Sequence, residues 1–465
     1  MTSIMRSKLA AASVALGLLA TACGSSKTNS DSSPTTAASA TTAAGATTAA
    51  TTAAGSSAAP SSSAAEIRWR TRPDNQAEAD LYRSIGDGLV KDGKVPFKLK
   101  YEPGDNEGSP YQDKLRTELA SGTAPDVFWI PGTDVADFVS KGLVLDLRSQ
   151  ARDSKVYKDA DFYPEPMAHL TYDPKTATSG GPLWGVPRDV STFAIYVNLD
   201  LIAKAGAENP IELQKAGKWD WAALKRVSEK VAATGGAVKG WGMSNWWANY
   251  GLFMNAAGGG FFNADRTACA LDTDASIAGV TFARSLYEGT ASIPYGDDPE
   301  KAYNAGTLSM FMNGRWATPG ARKNTFNWDV VNVPTGAKGQ GNWLFWGAYV
   351  VNAKTKDPKA AWQLVEQLTT GETQGKVAAL GANIPSRVSD DAIKSFLTYS
   401  PPKNNQAFID ALKDKPTAEG PLWKGSWPAY DKAMNTSVEA VLKGTKTIAD
   451  YKATICNDTK SAFTS

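Results

Sequence analysis

The segment SNWWANYG at residues 244–251 combines residue types that are suited to holding a small polar solute by stacking and hydrogen bonding. Trp246 and Trp247 are adjacent and are flanked by Asn245 and Asn249. Neighbouring side chains point about 100° apart on a helix and to opposite faces on a strand. One hydrophobic core therefore cannot take both indoles and leave both amides in water. We expect one indole to turn inward and the segment to line a surface that offers flat rings and amides together.

Composition narrows the chemistry that the chain can perform. Fifteen Trp among 465 residues supply enough large rigid rings to line such a surface in several places. Lys and Arg total 49 against 47 Asp and Glu, and no basic block occurs, so nucleic acid is not an expected partner. A single His and the lack of CxxC or HExxH spacing argue against zinc, and no GxxxxGK loop is available to hydrolyse ATP. We therefore predict neither a metal nor a cofactor.

Residues 1–22 have the pattern of an export signal. Arg6 and Lys8 precede an apolar run that is about half as long as a membrane-spanning helix requires. Residues 18–23, LLATAC, resemble the lipobox of bacterial lipoproteins, in which the Cys is diacylated and becomes the new N-terminus. We expect Cys23 to carry this lipid; the alternative is a secreted chain that is cleaved nearby.

The next segment, residues 24–65, consists almost wholly of Ala, Ser, Thr and Gly, with Lys27 and Asp31 as its only charges. Such a segment buries too little apolar surface to offset its chain entropy, so we expect it to be disordered. Behind a lipidated Cys this composition is typical of a tether. The predicted lipid and tether region therefore spans residues 23–65.

From Glu66 onward, strands and helices alternate. Residues 66–70 and 124–132 have the pattern of strands, and residues 111–122 and 133–142 have the pattern of helices. This alternation predicts an α/β fold with a mostly parallel sheet and helices on both faces.

A second series of elements follows. The predicted strands are 184–198, 307–314, 328–334 and 345–353, and the predicted helices are 199–206, 219–235, 273–289 and 356–371. Asp200, Asp220 and Asp357 stand at the starts of three of these helices and are the predicted N-caps, and Gly371 is the predicted end of the last one.

A series of phrases along the chain resembles the extracellular solute-binding proteins of bacterial ABC importers, specifically the maltose-binding-like sugar-binding family 1. The phrases are APDVFWIP (124–131), KGLVLDL (141–147), GVPRDVSTFAIYVNLDLI (185–202), WDW (219–221), AAGGGFF (256–262), GTLSMFMNGRW (306–316), NWLFWGAYVVNAKTKDPKAAWQLVEQL (342–368) and ANIPSR (382–387). They occur in the family's order and cover essentially all of residues 66–465. Each phrase alone is weak evidence, whereas the ordered series is strong.

The resemblance implies a two-lobed α/β fold of the periplasmic-binding-protein type II. In that fold a hinge that the chain crosses three times joins the lobes, and the solute is held in the cleft between them. By analogy, the N-terminal lobe takes residues 66–185 and 331–370. The C-terminal lobe takes residues 186–330 and 371–465.

The resemblance also implies a function. The chain would capture a carbohydrate, a di- or oligosaccharide, and hand it unaltered to the permease subunits of an ABC importer. We expect a monomer that is exported and anchored to the outer face of the cytoplasmic membrane through Cys23. One alternative keeps the fold and changes the solute to a polyol or a glycerol-phosphate-type compound.

An extracellular glycoside hydrolase is the alternative from another class of protein. The carboxylates Asp126, Asp189 and Asp297 are available for acid–base chemistry. A glycosidase needs two carboxyl groups about 5–10 Å apart across the bond that it cleaves. Nothing in the sequence pairs these three, and the resemblance favours a protein that is not an enzyme.

The candidate ligand-binding residues follow from the resemblance together with sugar chemistry. Indoles stack on the apolar C–H face of a sugar, while Asp, Asn and Arg bond its rim of hydroxyl groups. The candidates are Trp316, Trp247, Asn249, Asp189, Trp427, Trp129, Asn245, Arg72, Asp74 and Trp346. Trp316 aligns with a sugar-stacking Trp of the family. In the maltose binder an acidic residue and an aromatic occupy the places that align with Trp247 and Asn249, so the acid is missing here.

Cys269 and Cys456 are the two Cys residues of the folded part. Outside the cytoplasm an even pair is able to form a disulfide. The sequence does not supply the distance between them, so the bridge stays open at this point.

Overall fold

The computed structural model describes residues 66–73, 75–104, 108–176, 178–381, 383–414, 416–420, 422–423 and 425–463. The predicted export signal, the predicted lipidation at Cys23, the tether 23–65 and the candidate Asp74 lie outside the described residues. Within the described ranges, no helix combines the length and apolar character that crossing a membrane requires.

The described residues contain eleven strands. They are β1 (Glu66–Thr71), β2 (Lys98–Pro103), β3 (Val127–Pro131), β4 (Val186–Ser191), β5 (Phe193–Asn198), β6 (Lys239–Gly242), β7 (Leu308–Gly314), β8 (Trp328–Val331), β9 (Trp343–Val351), β10 (Ile384–Pro385) and β11 (Thr417–Ala418). Seven strands form one sheet in the order β10-β4-β9-β3-β1-β2, with β11 paired to β9. The other four form a second sheet in the order β6-β7-β5-β8.

Both sheets are mixed, so the prediction of a mostly parallel sheet is wrong. The pairs β1–β2, β1–β3 and β6–β7 are parallel, whereas β9 runs antiparallel to both β3 and β4. Strand β4 leaves the first sheet and enters β5 of the second sheet through Thr192 alone, and β9 returns to the first sheet after β8. Since β4 and β9 pass the same junction in opposite directions, they pair antiparallel.

Strand membership bears on the predicted bounds of the lobes. Residues 186–191 and 384–385 belong to the first sheet. The chain thus passes between the sheets at Thr192, again within 332–342, and a third time after Pro385. The bounds at residues 185 and 370 stay predictions, and these strands favour bounds after residues 191 and 385.

Eighteen α-helices lie within the described residues. They are α1 (Gln76–Lys91), α2 (Gly108–Ser121), α3 (Gly132–Ser140), α4 (Arg148–Arg152), α5 (Pro164–Leu170), α6 (Leu199–Lys204), α7 (Pro210–Lys215), α8 (Trp221–Ala232), α9 (Trp247–Ala256), α10 (Asp274–Ser285), α11 (Pro299–Asn304), α12 (Thr318–Ala321), α13 (Pro358–Leu368), α14 (Gly371–Leu380), α15 (Asp390–Thr398), α16 (Gln406–Lys413), α17 (Trp427–Leu442) and α18 (Ile448–Asp458). Short 3-10 segments are Asp159–Asp161, Arg315–Ala317 and Lys460–Phe463.

Two of the three predicted N-caps are confirmed. The carboxylates of Asp220 and Asp357 accept hydrogen bonds from backbone N–H groups at the starts of α8 and α13. Helix α6 is capped by Asn198 instead of Asp200, because the carboxylate of Asp200 accepts from the backbone N–H of Asn327. Helix α13 ends at Leu368, and Gly371 begins α14 rather than ending α13.

Two hydrophobic clusters hold the strands and helices together. One surrounds the first sheet and includes Trp69 and Phe128, and the other surrounds the second sheet and includes Trp241. Strand β5 is buried along its whole length and alternates between them, with Tyr196 in the first cluster and Ile195 in the second. This period of two is what a strand buried on both faces requires. The clusters therefore meet at β5, beside the junction between the sheets.

Cys269 and Cys456 form a disulfide, which the sequence had left open. Their Cα atoms are 5.4 Å apart, and the bridge joins the loop before α10 to α18 across 187 residues. Closing so long a loop removes conformational entropy from the unfolded chain. The bridge therefore stabilises the part of the chain that surrounds the second sheet.

Replacing Cys269 and Cys456 together by Ser should lower the free energy of unfolding by about 2–5 kcal/mol, because the unfolded chain regains the entropy of this loop. Urea denaturation of the oxidised protein and of the double variant measures the difference. Wild type treated with a reductant is the control and should match the variant. Equal unfolding midpoints for all three samples would contradict the assignment.

Candidate functional site

A cavity of about 730 Å³ lies where residues from both sheets meet. Residues that follow β1 and β3 or lie on β4 line it from the first sheet, and residues that follow β6 and β7 line it from the second. Helix α17 supplies Trp427, and β9 supplies Phe345 and Trp346. Ligands of α/β proteins bind beyond the carboxyl ends of strands and at junctions of this kind. The cavity is thus the candidate binding site.

Five rings form one side of the cavity and are called here the aromatic wall. They are Trp246, Trp247, Trp316, Phe345 and Trp427. The ring of Trp246 stacks on Phe345 with centroids 5.2 Å apart, and Trp316 meets Phe345 edge-on at the same distance. Trp247 meets Trp427 edge-on at 5.3 Å. Such offset and edge contacts hold the rings in place, while Trp246 and Trp316 stay only half-buried.

The aromatic pair of the SNWWANYG segment divides as expected. Helix α9 begins at Trp247, and Trp246 is its extended N-cap residue, so the two side chains diverge. Trp247 turns inward, is buried, and meets Trp343 edge-on at 4.9 Å. Trp246 is the more exposed of the two. The sequence did not single out Trp246 as a ligand contact. Trp246 nevertheless lines the cavity together with Trp247.

The two amides of this segment are placed elsewhere. Neither Asn245 nor Asn249 is among the residues that line the cavity. Asn249 is buried in the first turn of α9, and its Nδ2 donates to the carbonyl of Ser244 at 3.0 Å. Asn245 donates to Glu439 and accepts from the hydroxyl of Tyr295. Both amides fasten the segment to its surroundings, and a ligand-binding role for them stays a prediction.

A second group of cavity residues belongs to the first sheet and is called here the charged corner. It consists of Trp129 and the charged residues Arg72, Arg188 and Asp189. Nε of Arg188 donates to Asp189 Oδ2 at 2.7 Å, and Nη1 donates to Thr71 Oγ1 at 2.7 Å. Burial by itself lowers the pKa of Arg188, but the charge of Asp189 outweighs it and the pKa lies above its usual value. The Arg188 guanidinium therefore stays charged at every physiological pH.

Trp129 lies beneath both guanidinium groups of the charged corner. The Cζ atoms of Arg72 and Arg188 are 4.6 and 4.9 Å from its ring centroid. At these distances each cation is attracted to the face of the ring. The corner thus presents a ring, two cations and a carboxylate to one part of the cavity.

Three Trp rings of the cavity rest against glycine backbone. The pairs are Trp129 on Gly347, Trp316 on Gly314, and Trp346 on Gly132. A Cβ added to these glycines would come within 2.0 Å, 2.2 Å and 2.4 Å of an indole atom, respectively. No side chain larger than hydrogen fits such an approach without moving the ring. Glycine at these positions therefore determines where the rings lie.

Glu419 lines the cavity next to Trp346, and the sequence offered no signal for it. Its Oε1 accepts from the backbone N–H of Trp346 at 2.8 Å, and its carbonyl accepts from the Trp346 indole at 3.1 Å. Burial raises the pKa of Glu419 to about 8, against the opposing hydrogen bond from Trp346. The carboxyl is therefore largely neutral at pH 7 and retains a proton that it could donate.

Of the three carboxylates considered for catalysis, only Asp189 lines the cavity. It is paired with Arg188, whereas Asp126 accepts hydrogen bonds from the Arg68 backbone and from Thr355. These three residues therefore form no acid–base pair. Among the described residues, no cluster of His, Cys, Asp or Glu has the makings of a metal site.

The fold and the cavity define a class of protein, one that holds a small solute between two α/β lobes. The chain belongs to the bacterial extracellular solute-binding proteins, whose family model matches residues 91–394. It is 25% identical over 402 residues to a maltooligosaccharide ABC transporter solute-binding lipoprotein of Streptococcus pneumoniae. That alignment covers 81% of this chain and 86% of the relative.

Solved structures confirm the predicted two-lobed fold. An ABC substrate-binding protein from Listeria monocytogenes in complex with cycloalternan has a TM-score of 0.75 at 21% identity, with 85% of this chain and 98% of that chain covered. UgpB from Mycobacterium tuberculosis in complex with glycerophosphocholine has a TM-score of 0.72 at 14% identity, with 85% and 98% covered. At these identities the likeness establishes the fold alone.

The Gly314→Ala variant should lose about 1–3 kcal/mol of unfolding free energy, because the added methyl group overlaps the ring of Trp316. The matched control is Gly375→Ala in α14, where a Cβ meets nothing within 4 Å. That change should be neutral or raise stability by up to about 1 kcal/mol, since Ala favours a helix. Urea denaturation measures the free energy of unfolding of both variants. Equal values would contradict the contact between the Trp316 ring and Gly314.

Glu419 should make stability fall as pH rises between about 4.5 and 8. In this window the folded state keeps the proton and the unfolded state has lost it, so the free energy of unfolding drops by about 1.4 kcal/mol per pH unit. Glu419→Gln should remove this slope, and Glu372→Gln, on the exposed surface, should keep it. Urea denaturation at pH 5, 6, 7 and 8 measures the slopes; parallel curves for wild type and Glu419→Gln would refute the shift.

Proposed function

We propose that this chain captures a di- or oligosaccharide in the cavity and delivers it unaltered to the permease of an ABC importer. The observation that carries the proposal is the meeting of the aromatic wall and the charged corner in one cavity of about 730 Å³. A sugar has apolar C–H faces that stack on indoles and a rim of hydroxyl groups that bond charged residues. The maltooligosaccharide-binding relative from Streptococcus pneumoniae supports the same class of solute.

Seven of the predicted site residues lie where they could touch such a solute. They are Trp316, Trp247, Asp189, Trp427, Trp129, Arg72 and Trp346. Trp316 and Trp246 are the half-buried rings and are the principal stacking surfaces. Trp346 is only 2% exposed, so its role is to pack behind the cavity surface, where its indole donates to the carbonyl of Glu419. Asp189 and Arg72 bond hydroxyl groups from the charged corner.

Delivery requires that the lobes close on the solute and open again at the permease. Closure by hinge bending moves residues of the first sheet towards those of the second. The chain acts as a monomer that is held at the outer face of the cytoplasmic membrane by lipidated Cys23. The tether 23–65 then sets the reach of the folded part from the membrane.

A glycerol-phosphate-type solute is the second candidate. The two guanidinium groups over Trp129 favour it, because Arg is suited to binding phosphate. Arg188 is already paired with Asp189, which leaves less cationic charge for an anion. A neutral sugar therefore agrees better with the charges of the cavity.

We propose binding alone, because the family is one of solute-binding proteins. Asp189 is held in an ion pair with Arg188 and is not free to act as an acid or a base. Incubation with oligosaccharides followed by an assay for new reducing ends checks this. Sustained release of reducing ends would contradict a purely binding role.

A bound sugar should quench the Trp fluorescence or shift it to the blue, because the half-buried rings of Trp246 and Trp316 lose water. At a concentration 100 times its dissociation constant, it should raise the free energy of unfolding by about 2.7 kcal/mol. A thermal-shift and fluorescence screen of mono-, di- and oligosaccharides, with glycerol 3-phosphate alongside, measures both effects. Stabilisation by glycerol 3-phosphate and by no sugar would favour the second candidate.

The sugar that emerges from this screen should bind Trp316→Ala about tenfold or more weakly, because the variant loses a stacking face. Trp184→Ala is the matched control: its ring is half-buried outside the cavity lining, and its Nε1 donates to the carbonyl of Tyr172. Isothermal titration calorimetry compares the two variants. An equal loss of affinity in both would count against a stacking role for Trp316.

A further inference from the structure

Helix α17 presents a ring and a carboxylate to the cavity one turn apart. Trp427 is its first residue, and Asp431 follows four positions later, so both side chains lie on one face of the helix. Both line the cavity. The ring of Trp427 is steadied by the edge-on contact with Trp247 at 5.3 Å. A ring with an acceptor at its edge is the arrangement that a stacked sugar needs for its hydroxyl groups.

A chain of hydrogen bonds orients this carboxylate from the interior. The hydroxyl of Tyr250, in α9, donates to Oδ1 of Asn435 at 2.6 Å. Nδ2 of Asn435 then donates to Oδ1 of Asp431 at 2.6 Å. Because the Tyr250 hydroxyl donates to the amide oxygen, the amide nitrogen is turned towards Asp431. The side chain of Tyr250 is fully buried, so the chain of bonds starts from a rigid position.

Asp431 differs from Asp189 in its electrostatic surroundings. Asp189 is paired with Arg188, whereas no described Lys or Arg forms an ion pair with Asp431. Within the described residues, Oδ2 of Asp431 accepts no hydrogen bond from the protein. Burial raises the pKa of Asp431 to about 6, and the bond from Asn435 opposes the rise. Tyr250 of α9 interacts electrostatically with Asp431, and Lys432 follows it in its own helix. The other charged or titratable groups of the cavity lining are Arg72, Asp113, Arg116, Asp134, Arg188, Asp189 and Glu419.

We infer that Asp431 is a specificity-determining residue, whose carboxylate accepts hydrogen bonds from the hydroxyl groups of a sugar stacked on Trp427. Asn435 and Tyr250 are positioning residues that aim its second oxygen into the cavity. The inference rests on the proposed function and narrows it to an uncharged polyhydroxylated solute, because an unpaired carboxylate repels a phosphate group. The acid that the SNWWANYG segment lacks is thus supplied by α17.

Isothermal titration calorimetry with maltotriose, galactobiose and diacetylchitobiose tests the inference. For the member of this panel that wild type binds best, Asp431→Asn should weaken binding at pH 7.5 about tenfold or more, since a charge-assisted acceptor is lost. The affinity of wild type should fall as pH drops through about 6, and that of Asp431→Asn should not. Melting temperatures confirm that the variants are folded.

Tyr250→Phe isolates the positioning role, because it removes one hydroxyl and keeps the ring. Without this hydroxyl the amide of Asn435 is free to turn, so the pH midpoint of binding should move upward. Tyr295→Phe is the matched control, since its hydroxyl donates at 3.0 Å to Asn245, which does not line the cavity. That variant should keep both the affinity and the midpoint of wild type.

The outcomes separate this inference from the proposed function. If wild type binds a sugar and Asp431→Asn binds it equally well with an equal pH profile, the role of Asp431 is refuted and the proposed function stands. If Tyr250→Phe loses affinity with an unmoved midpoint, the positioning role is refuted. If wild type binds glycerol 3-phosphate and none of the sugars, both the inference and the proposed function fail.

Discussion

The close approach of indole rings to glycine backbone is the constraint on which the cavity depends. Trp129 lies against Gly347 of β9, and Trp316 lies against Gly314 at the end of β7. The backbone of a strand, and not a flexible side chain, therefore fixes the position of each ring. A stacking surface that is rigid before binding loses less entropy when a solute arrives. The contact with Trp129 also explains why β9 carries Gly347 in the middle of an otherwise bulky apolar run.

The two sheets contribute different chemistry to the cavity. Elements that pack with the second sheet bring most of the aromatic wall, while the first sheet brings the charged corner of Arg72, Trp129, Arg188 and Asp189. A solute with a flat apolar face and a polar rim requires both kinds of surface at once. Because the chain passes between the sheets beside the cavity, a change in the angle between the lobes alters both surfaces together.

Burial of carboxyl groups in this cavity has a second consequence, which is that their pKa values rise. The pKa values of Glu419 and Asp431 rise to about 8 and about 6 because burial disfavours their charged forms. Asp189, in contrast, is held in an ion pair with Arg188. Glu419 and Asp431 thus differ in state, the first a largely neutral donor and the second a titrating acceptor. Only their local partners distinguish them.

By itself, the sequence determined the family, the starts of α8 and α13 at Asp220 and Asp357, and the strands β1, β3 and β7 beside the cavity. These features follow from neighbouring residues, because capping and strand periodicity are local. Tertiary structure alone decided that Asn245 and Asn249 fasten a loop, that β4 and β9 pair antiparallel, and that Glu419 and Asp431 join the site. The reason is distance along the chain: Tyr250 and Asn435 are 185 residues apart in sequence, so no local pattern records the bond that orients Asp431.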